Sequence, residues 1–398
     1  MPKNIIICCD GTGNEIKENQ SNVLLFFRTL EKNSAQTTFY DPGVGTISDS
    51  SAWARLKSQA KGIFGLATGY GLDANILDAY RFLIRNYEDG DNIYLFGFSR
   101  GAYTVRVLAG FLNMIGLLET EQENLSGYAL MAYKQASNKD DFKIAWRYHQ
   151  ALATKYVTIR FMGCWDTVGS VIVPRPDRFL IPSLQSLPYT RTNPSVQAFR
   201  HAIAIDERRR MFRASLWTEP QKFKMNPFID DDQAEEQDIK QVWFAGVHSD
   251  IGGGYPDRES GSARIPLQWM VEEAREHGVQ FKQNRINQYV LGKKDGRSKE
   301  FYAAPDPEGP LHDSMKGFWP VLEWLPKKLK RREWADRRSF LSWYLPRSEP
   351  RLIPENATID ASVWTRRQGQ SGYDPINLKD FAPPEEDQPT EEDHRLAS

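Results

Sequence analysis

The sequence is poor in cysteine, in histidine and in long apolar runs, and it carries almost no net charge. Each shortage excludes something. No apolar run approaches the roughly 18 residues that a membrane-crossing helix requires. The opening MPKNIIICCDGTGN passes from a short apolar run straight to Asp10, which reads as a first strand and not as a leader, so a cytoplasmic protein is expected. A formal net charge of −1, from 51 basic and 52 acidic residues, provides no basic field, and nucleic acid is not expected as a partner. The three cysteines, Cys8, Cys9 and Cys164, lie in strand-like apolar segments; they exclude a disulfide framework and read as reduced core thiols. Apolar neighbours raise a thiol's pKa, which argues against Cys164 as a nucleophile.

What is present is enough apolar residue, 40% of 398, to build a sizeable core. Strand-like runs occur at Ile5–Cys9, Thr37–Tyr40, Ile93–Phe98, Val157–Trp165 and Gln241–Val247. Helical patterns alternate with them from Ser21, from Leu72, after Ser99 and from Pro194, the last covering PSVQAFRHAIAIDERRR. Such alternation predicts a mostly parallel sheet with helices on both faces, whose sites lie beyond the carboxyl ends of the strands. After Gly254 comes one clear helix, IPLQWMVEEAREHG, and then a Trp-, Pro- and Arg-rich region that reads as a helical cap or surface subdomain. The expected organisation is a catalytic α/β domain over residues 1–280, a packed extension over 281–380 and a disordered acidic tail over 381–398.

The stretch YLFGFSRGA contains G-x-S-x-G, with Ser99 between Gly97 and Gly101. The apolar run NIYLFGF precedes it, and Ala102, Val105, Leu108, Ala109, Leu112 and Ile115 follow at helical spacing, so Ser99 stands at a strand-to-helix junction. That context suits a nucleophile elbow, with the amide of Arg100 turned toward an oxyanion. The alternative is an ordinary Gly-rich turn.

A serine needs a base, and in this class the base is usually a histidine oriented by a carboxylate. Of the six histidines, His394 lies in the tail, His149 and His277 in charged helical segments, His312 after a Pro/Gly loop and His201 inside an apparent helix. His248 alone follows a strand, QVWFAGV, and opens the glycine-rich loop HSDIGGGY. For the acid, Asp166 directly follows a strand and preserves the order Ser, Asp, His, while Asp206 could pair with its neighbouring arginines and Asp250 could fix the His248 loop. All three remain candidates at this level. In CDGTGN, the amides of Gly11 and Thr12 are candidate second oxyanion donors, and Asp10 is expected to cap its loop. Haloacid dehalogenase phosphatases also end their first strand with Asp-Gly-Thr, but their nucleophilic aspartate matches Cys8 here. No cofactor or metal is required by this chemistry.

Taken together, CCDGTGN, YDPGVGT, YLFGFSRGAYTVRVLAG, FMGCWDTVGSV, HAIAIDERRRMF and QVWFAGVHSDIGGGY resemble the ordered blocks of an uncharacterised α/β-hydrolase domain family that includes the catalytic domains of type VI secretion phospholipase effectors. The likeness runs from about Asn4 to Gly278, and RLIPENATIDASVWTRR is similar to that family's closing segment. It implies an α/β-hydrolase fold, with catalytic serine, acid and histidine on Ser99, Asp166 and His248. It further implies ester-linked lipids as substrates, phospholipids among them. Hydrolysis of soluble esters, acyl transfer with the same triad, and a non-catalytic scaffold are the alternatives. Between Gly317 and Arg347, aromatics including Trp319, Trp324, Phe340 and Trp343 interleave with Lys327, Lys328, Lys330, Arg331 and Arg332. This segment reads either as a cap packing its rings on the core or as a membrane-surface contact.

Overall fold

A computed structural model describes residues 2–11, 19–43, 71–139, 147–148, 150–152, 154–168, 172–174, 182–184, 187–226, 229–230, 232–294, 301–317, 319–328, 332–334, 339–369 and 372–383. Its centre is a seven-stranded sheet made of β1 (Asn4–Cys9), β2 (Gln36–Asp41), β3 (Asn92–Phe98), β4 (Ile159–Trp165), β5 (Val196–Ala204), β6 (Asp238–Phe244) and β7 (Thr358–Ile359). The spatial order is β7-β6-β5-β4-β3-β1-β2, and every neighbouring pair is parallel. Strand order therefore reverses between β1 and β3, which is where an open α/β sheet leaves a crevice.

Both faces are covered, which explains why β1 reads as an unbroken apolar run, NIIICC. Ile5, Ile7 and Cys9 pack on one side with residues of α2 (Leu72–Asn86) and α3 (Arg100–Ile115). Ile6 and Cys8 pack on the other with Phe26 of α1 (Asn22–Thr29) and Leu267 and Met270 of α5 (Gly261–Glu276). Between α3 and α5 lies the short helix α4 (His248–Gly252), opened by one of the candidate site residues. Ser21 caps α1, its hydroxyl accepting from the Leu24 amide at 3.1 Å, an interaction worth about 1 kcal/mol. All three cysteines are buried and unbridged, and burial pushes the Cys8 thiol well up.

Two expectations change. The segment from Pro194 is not a helix but β5, the strand between β4 and β6. Over its middle and end the residues alternate between faces at a period of two: Phe199 belongs to one core, Ala198, Ala202 and Ala204 to the other. A strand buried on both sides lacks polar alternation, so a short apolar run with alanines also fits helical spacing. The second change concerns the cap. Among the described residues of the Trp/Arg-rich segment there is one four-residue helix, Trp319–Leu322, and a small antiparallel sheet of Lys327–Lys328, Trp343–Tyr344 and Ser339–Phe340. Pro320 sits in the first turn of this helix, where its missing N–H is tolerated, and Pro326 beyond its end does not allow it to continue.

The chain's later part also builds the main sheet. β7 pairs with β6, and Ile353, Val363 and Leu378 form a third cluster with Ile203, Ile205 and Trp243, Val363 coming from α6 (Ala361–Gln368). No helix among the described residues is long and apolar enough to cross a membrane.

Candidate active site

Ser99 leaves β3 with φ 57° and ψ −116°, a conformation that L residues avoid, and α3 begins at Arg100. The two flanking glycines make this turn feasible. A Cβ on Gly101 would sit 2.0 Å from the Cys9 carbonyl oxygen, and one on Gly97 would sit 2.5 Å from Gly101 backbone. The turn thus wedges the start of α3 between the ends of β3 and β1. Arg100 is the first residue of α3, where amides point out along the axis.

His248 begins α4, just beyond β6, and Asp166 directly follows β4. The three strand ends converge. His248 Nε2 lies 2.8 Å from Ser99 Oγ, and His248 Nδ1 lies 2.5 Å from Asp166 Oδ2. Ser99, Asp166 and His248 are all buried. The Phe98 and Phe212 rings flank the imidazole at centroid separations of 4.7 and 4.9 Å.

The other two carboxylates do not touch this ring. Asp206 accepts from the Gly246 amide at 2.6 Å and the Tyr373 hydroxyl at 2.9 Å, and burial pushes its carboxyl up to about 6. It is Glu207, not Asp206, that pairs with the adjacent arginine run, through Arg209 at 2.8 Å. Glu207 Oε2 also accepts from the His248 amide at 3.2 Å, tying down the residue's backbone. Asp250 accepts from the Val247 amide at 2.9 Å and faces His312 Nδ1 at 2.7 Å, so it braces the His248 loop against a distant segment.

Arg351, which the sequence reading did not single out, is the main addition. It is buried, and its guanidinium grips both Asp166 oxygens: Nη1 reaches Oδ1 at 2.5 Å and Nη2 reaches Oδ2 at 2.9 Å. The same guanidinium donates to the carbonyls of Ala204, at 2.9 Å, and Phe212. Asp166 Oδ1 further accepts from the Ala204 amide at 3.0 Å. Burial by itself would raise this carboxyl, but the Arg351 charge and the His248 hydrogen bond outweigh it and hold Asp166 well below the usual carboxylate range. His248 moves down from its ordinary value because burial outweighs the pull of Asp166, which favours the neutral imidazole.

The first-strand loop is arranged differently from the expectation. Asp10 Oδ1 takes the Gly11 amide at 2.6 Å, and Oδ2 accepts from the Tyr40 hydroxyl at 2.8 Å and from Ser21. The Gly11 amide is thereby committed within its own loop, while Asp10 caps it and joins β1, β2 and α1. Thr12 lies outside the described residues. His201 is buried on β5 and accepts the Thr167 amide at Nε2, 3.0 Å away, supporting the backbone next to Asp166.

The family model described as type VI secretion system (T6SS), phospholipase effector Tle1-like, catalytic domain matches residues 3–273. The uncharacterised protein YEL023C of Saccharomyces cerevisiae is 32% identical over 231 residues, covering 54% of this chain and 33% of its own length. The chain thus spans about a third of that relative. An uncharacterised Pseudomonas aeruginosa protein of known crystal structure is 18% identical, with TM-score 0.37, over 71% of this chain and 46% of that one. A Tle1 effector solved bound to the VgrG spike of the T6SS is 19% identical, with TM-score 0.31, over 66% and 53% of the two chains. Overlaps that loose do not bear on the site. The family match covers well over half of the sequence, and the chain belongs to the family of T6SS phospholipase effector Tle1-like catalytic domains.

Proposed function

We propose that the protein is a carboxylic-ester hydrolase acting on lipids of the phospholipid type, with Ser99 as nucleophile, His248 as base and Asp166 as the acid that orients it. The observation carrying this reading is the line of contacts from a strained Ser99 through His248 Nε2, at 2.8 Å, and Nδ1 to Asp166, at 2.5 Å. Membership of a phospholipase effector family supports the substrate class.

In this mechanism His248 Nε2 takes the Ser99 Oγ proton as Oγ attacks the acyl carbonyl carbon. The carbonyl oxygen becomes an oxyanion facing the Arg100 amide, with Thr12 the remaining candidate donor from the first-strand loop. His248 then returns the proton to the departing alkoxide, leaving an acyl ester on Ser99. A water molecule, deprotonated by the same nitrogen, attacks that ester and releases the carboxylic acid. Asp166 accepts from Nδ1–H throughout, fixing the tautomer that leaves Nε2 able to accept a proton. Arg351 acts through Asp166 as a positioning residue: it fixes the carboxylate plane and keeps it ionised.

The substrate is tested by incubating the protein with phospholipid vesicles and a soluble short-chain ester and following released fatty acid. Release from both, lost in Ser99→Ala, is expected; release from the soluble ester alone would remove lipids from the proposal and leave the ester chemistry.

A further inference from the structure

The small antiparallel sheet divides the Trp/Arg-rich segment into two faces. In its register, Tyr344 stands opposite Lys327 and Ser339, whereas Trp343 stands opposite Lys328 and Phe340. Tyr344 is buried, its hydroxyl donating to Glu349 at 3.0 Å. Glu349 in turn pairs with Arg213, so this face is riveted to the hydrolase core. The other face is bare. Phe340 is 79% exposed and Trp343 46%, and at the tip between them Leu341 is 77% exposed. Trp324 and Leu325 of the same segment are exposed as well, at 59% and 50%.

The tip is strained as well as exposed. Phe340 pairs with Trp343 across a two-residue turn, in which Leu341 has φ 47° and Ser342 φ 65°. Two-residue hairpin turns of this hand prefer Asn-Gly, because a branched residue at positive φ is strained. The sequence accepts that strain and places a leucine at the outermost point.

We propose that this hairpin is a wedge that seats the protein on an anionic lipid bilayer, resting on the reading of the site as a lipid hydrolase. Three observations select a bilayer as occupant. An apolar tip with aromatic flanks matches the boundary between acyl chains and headgroups. In sequence, Lys327 to Arg338 holds seven lysines and arginines against Glu333 and Asp336, and Arg347 lies 4.9 Å over the exposed Trp324 ring, so the hairpin follows a basic stretch and a cation sits on an apolar ring of the same segment. The same segment also reaches the site: Trp319 packs on Phe212 at 5.4 Å, and Phe212 packs on His248. Seating the wedge therefore brings the wall of the site to the lipid surface.

The test is sedimentation of the full chain with vesicles of phosphatidylglycerol in phosphatidylcholine, alongside melting temperature and short-chain ester hydrolysis. The triple variant Phe340→Thr, Leu341→Asn, Ser342→Gly keeps strand propensity and supplies the preferred turn. It is expected to melt no lower than wild type and to hydrolyse the soluble ester normally. Losing two inserted apolar side chains should weaken vesicle partitioning by on the order of 100-fold. Leu341→Asp alone, which leaves the strands untouched, should weaken it in the same sense, and added salt should weaken wild-type binding. Wild type that stays in the supernatant, or variants that bind as well as wild type, would overturn the wedge. Binding through the hairpin without hydrolysis of the vesicle lipid supports the wedge and counts against the proposed substrate instead.

Discussion

Replacing Arg351 by methionine removes the guanidinium and keeps much of its aliphatic bulk. The structure gives this change two separable effects. Asp166 would keep His248 and the Ala204 amide but lose two charge-assisted contacts, at 2.5 and 2.9 Å, in a buried setting. Leaving one partner of a buried ion pair uncompensated costs about 3–5 kcal/mol, read as a lower melting temperature. The second effect is on His248. With Arg351 present, a forming imidazolium meets a carboxylate whose charge is already shared with a guanidinium. Two positive groups separated by roughly 7 Å, the breadth of an intervening carboxylate, repel by about 2 kcal/mol at an effective dielectric near 20. Removing one therefore raises the imidazolium pKa. The sign follows: a base with a higher pKa stays protonated to higher pH, so the acid limb of kcat/KM moves up. Any rise in the Asp166 pKa moves that limb the same way. The assay is a pH–rate profile on a soluble ester, with Arg351→Lys included because lysine restores the charge but not the bidentate fork. It should return the limb most of the way. An Arg351→Met enzyme that loses stability but keeps its acid limb in place would refute the positioning role and leave Arg351 a structural strut.

Asp166→Asn should lower kcat by on the order of 10⁴-fold, because an amide does not hold the required tautomer. Asp206→Asn should keep most activity, and a larger loss there than at Asp166 would move the acid to β5. Asp206→Asn should also gain stability relative to wild type as pH rises. The folded carboxyl is raised to about 6, so wild type loses stability from about pH 4 up through that value while the amide does not. His312 is raised above its ordinary 6.5 by its hydrogen bond to Asp250, against burial and with help from Glu259. Its stabilisation is present below about pH 6.5 and fades as pH climbs through the higher folded value. The melting-temperature gap between wild type and His312→Gln should accordingly close on the alkaline side; a gap that widens there would contradict the pairing.

Much of this was legible from residue order. Ser99, Asp166 and His248 each follow an apolar run, and strand ends in a parallel sheet gather on one edge whatever lies between them. The elbow was legible because Gly97 and Gly101 are required by close backbone approach, a demand that sequence records directly. β5 was misread because burial on both faces erases the alternation that marks a strand, and its alanines fit either period. Arg351 escaped for a different reason: a buried arginine looks like a surface arginine until its partner is known, and Asp166 is 185 positions away. The same holds for Glu207, which stands beside Asp206 in DERRR and whose second contact, the His248 amide, is 41 positions distant. The Trp/Arg-rich segment was legible as amphipathic in composition. Its division into an anchored Tyr344 face and an exposed Phe340–Trp343 face depends on strand register, which two-residue strands do not announce.

The central claim is that Ser99 is an activated nucleophile, and the most direct measurement is reaction with a fluorophosphonate followed by mapping of the labelled peptide. The account predicts one labelled residue, Ser99, with labelling abolished in a folded Ser99→Ala variant and slowed when His248 is replaced by alanine. A folded wild-type protein that takes no label, or takes it on another residue, would contradict it.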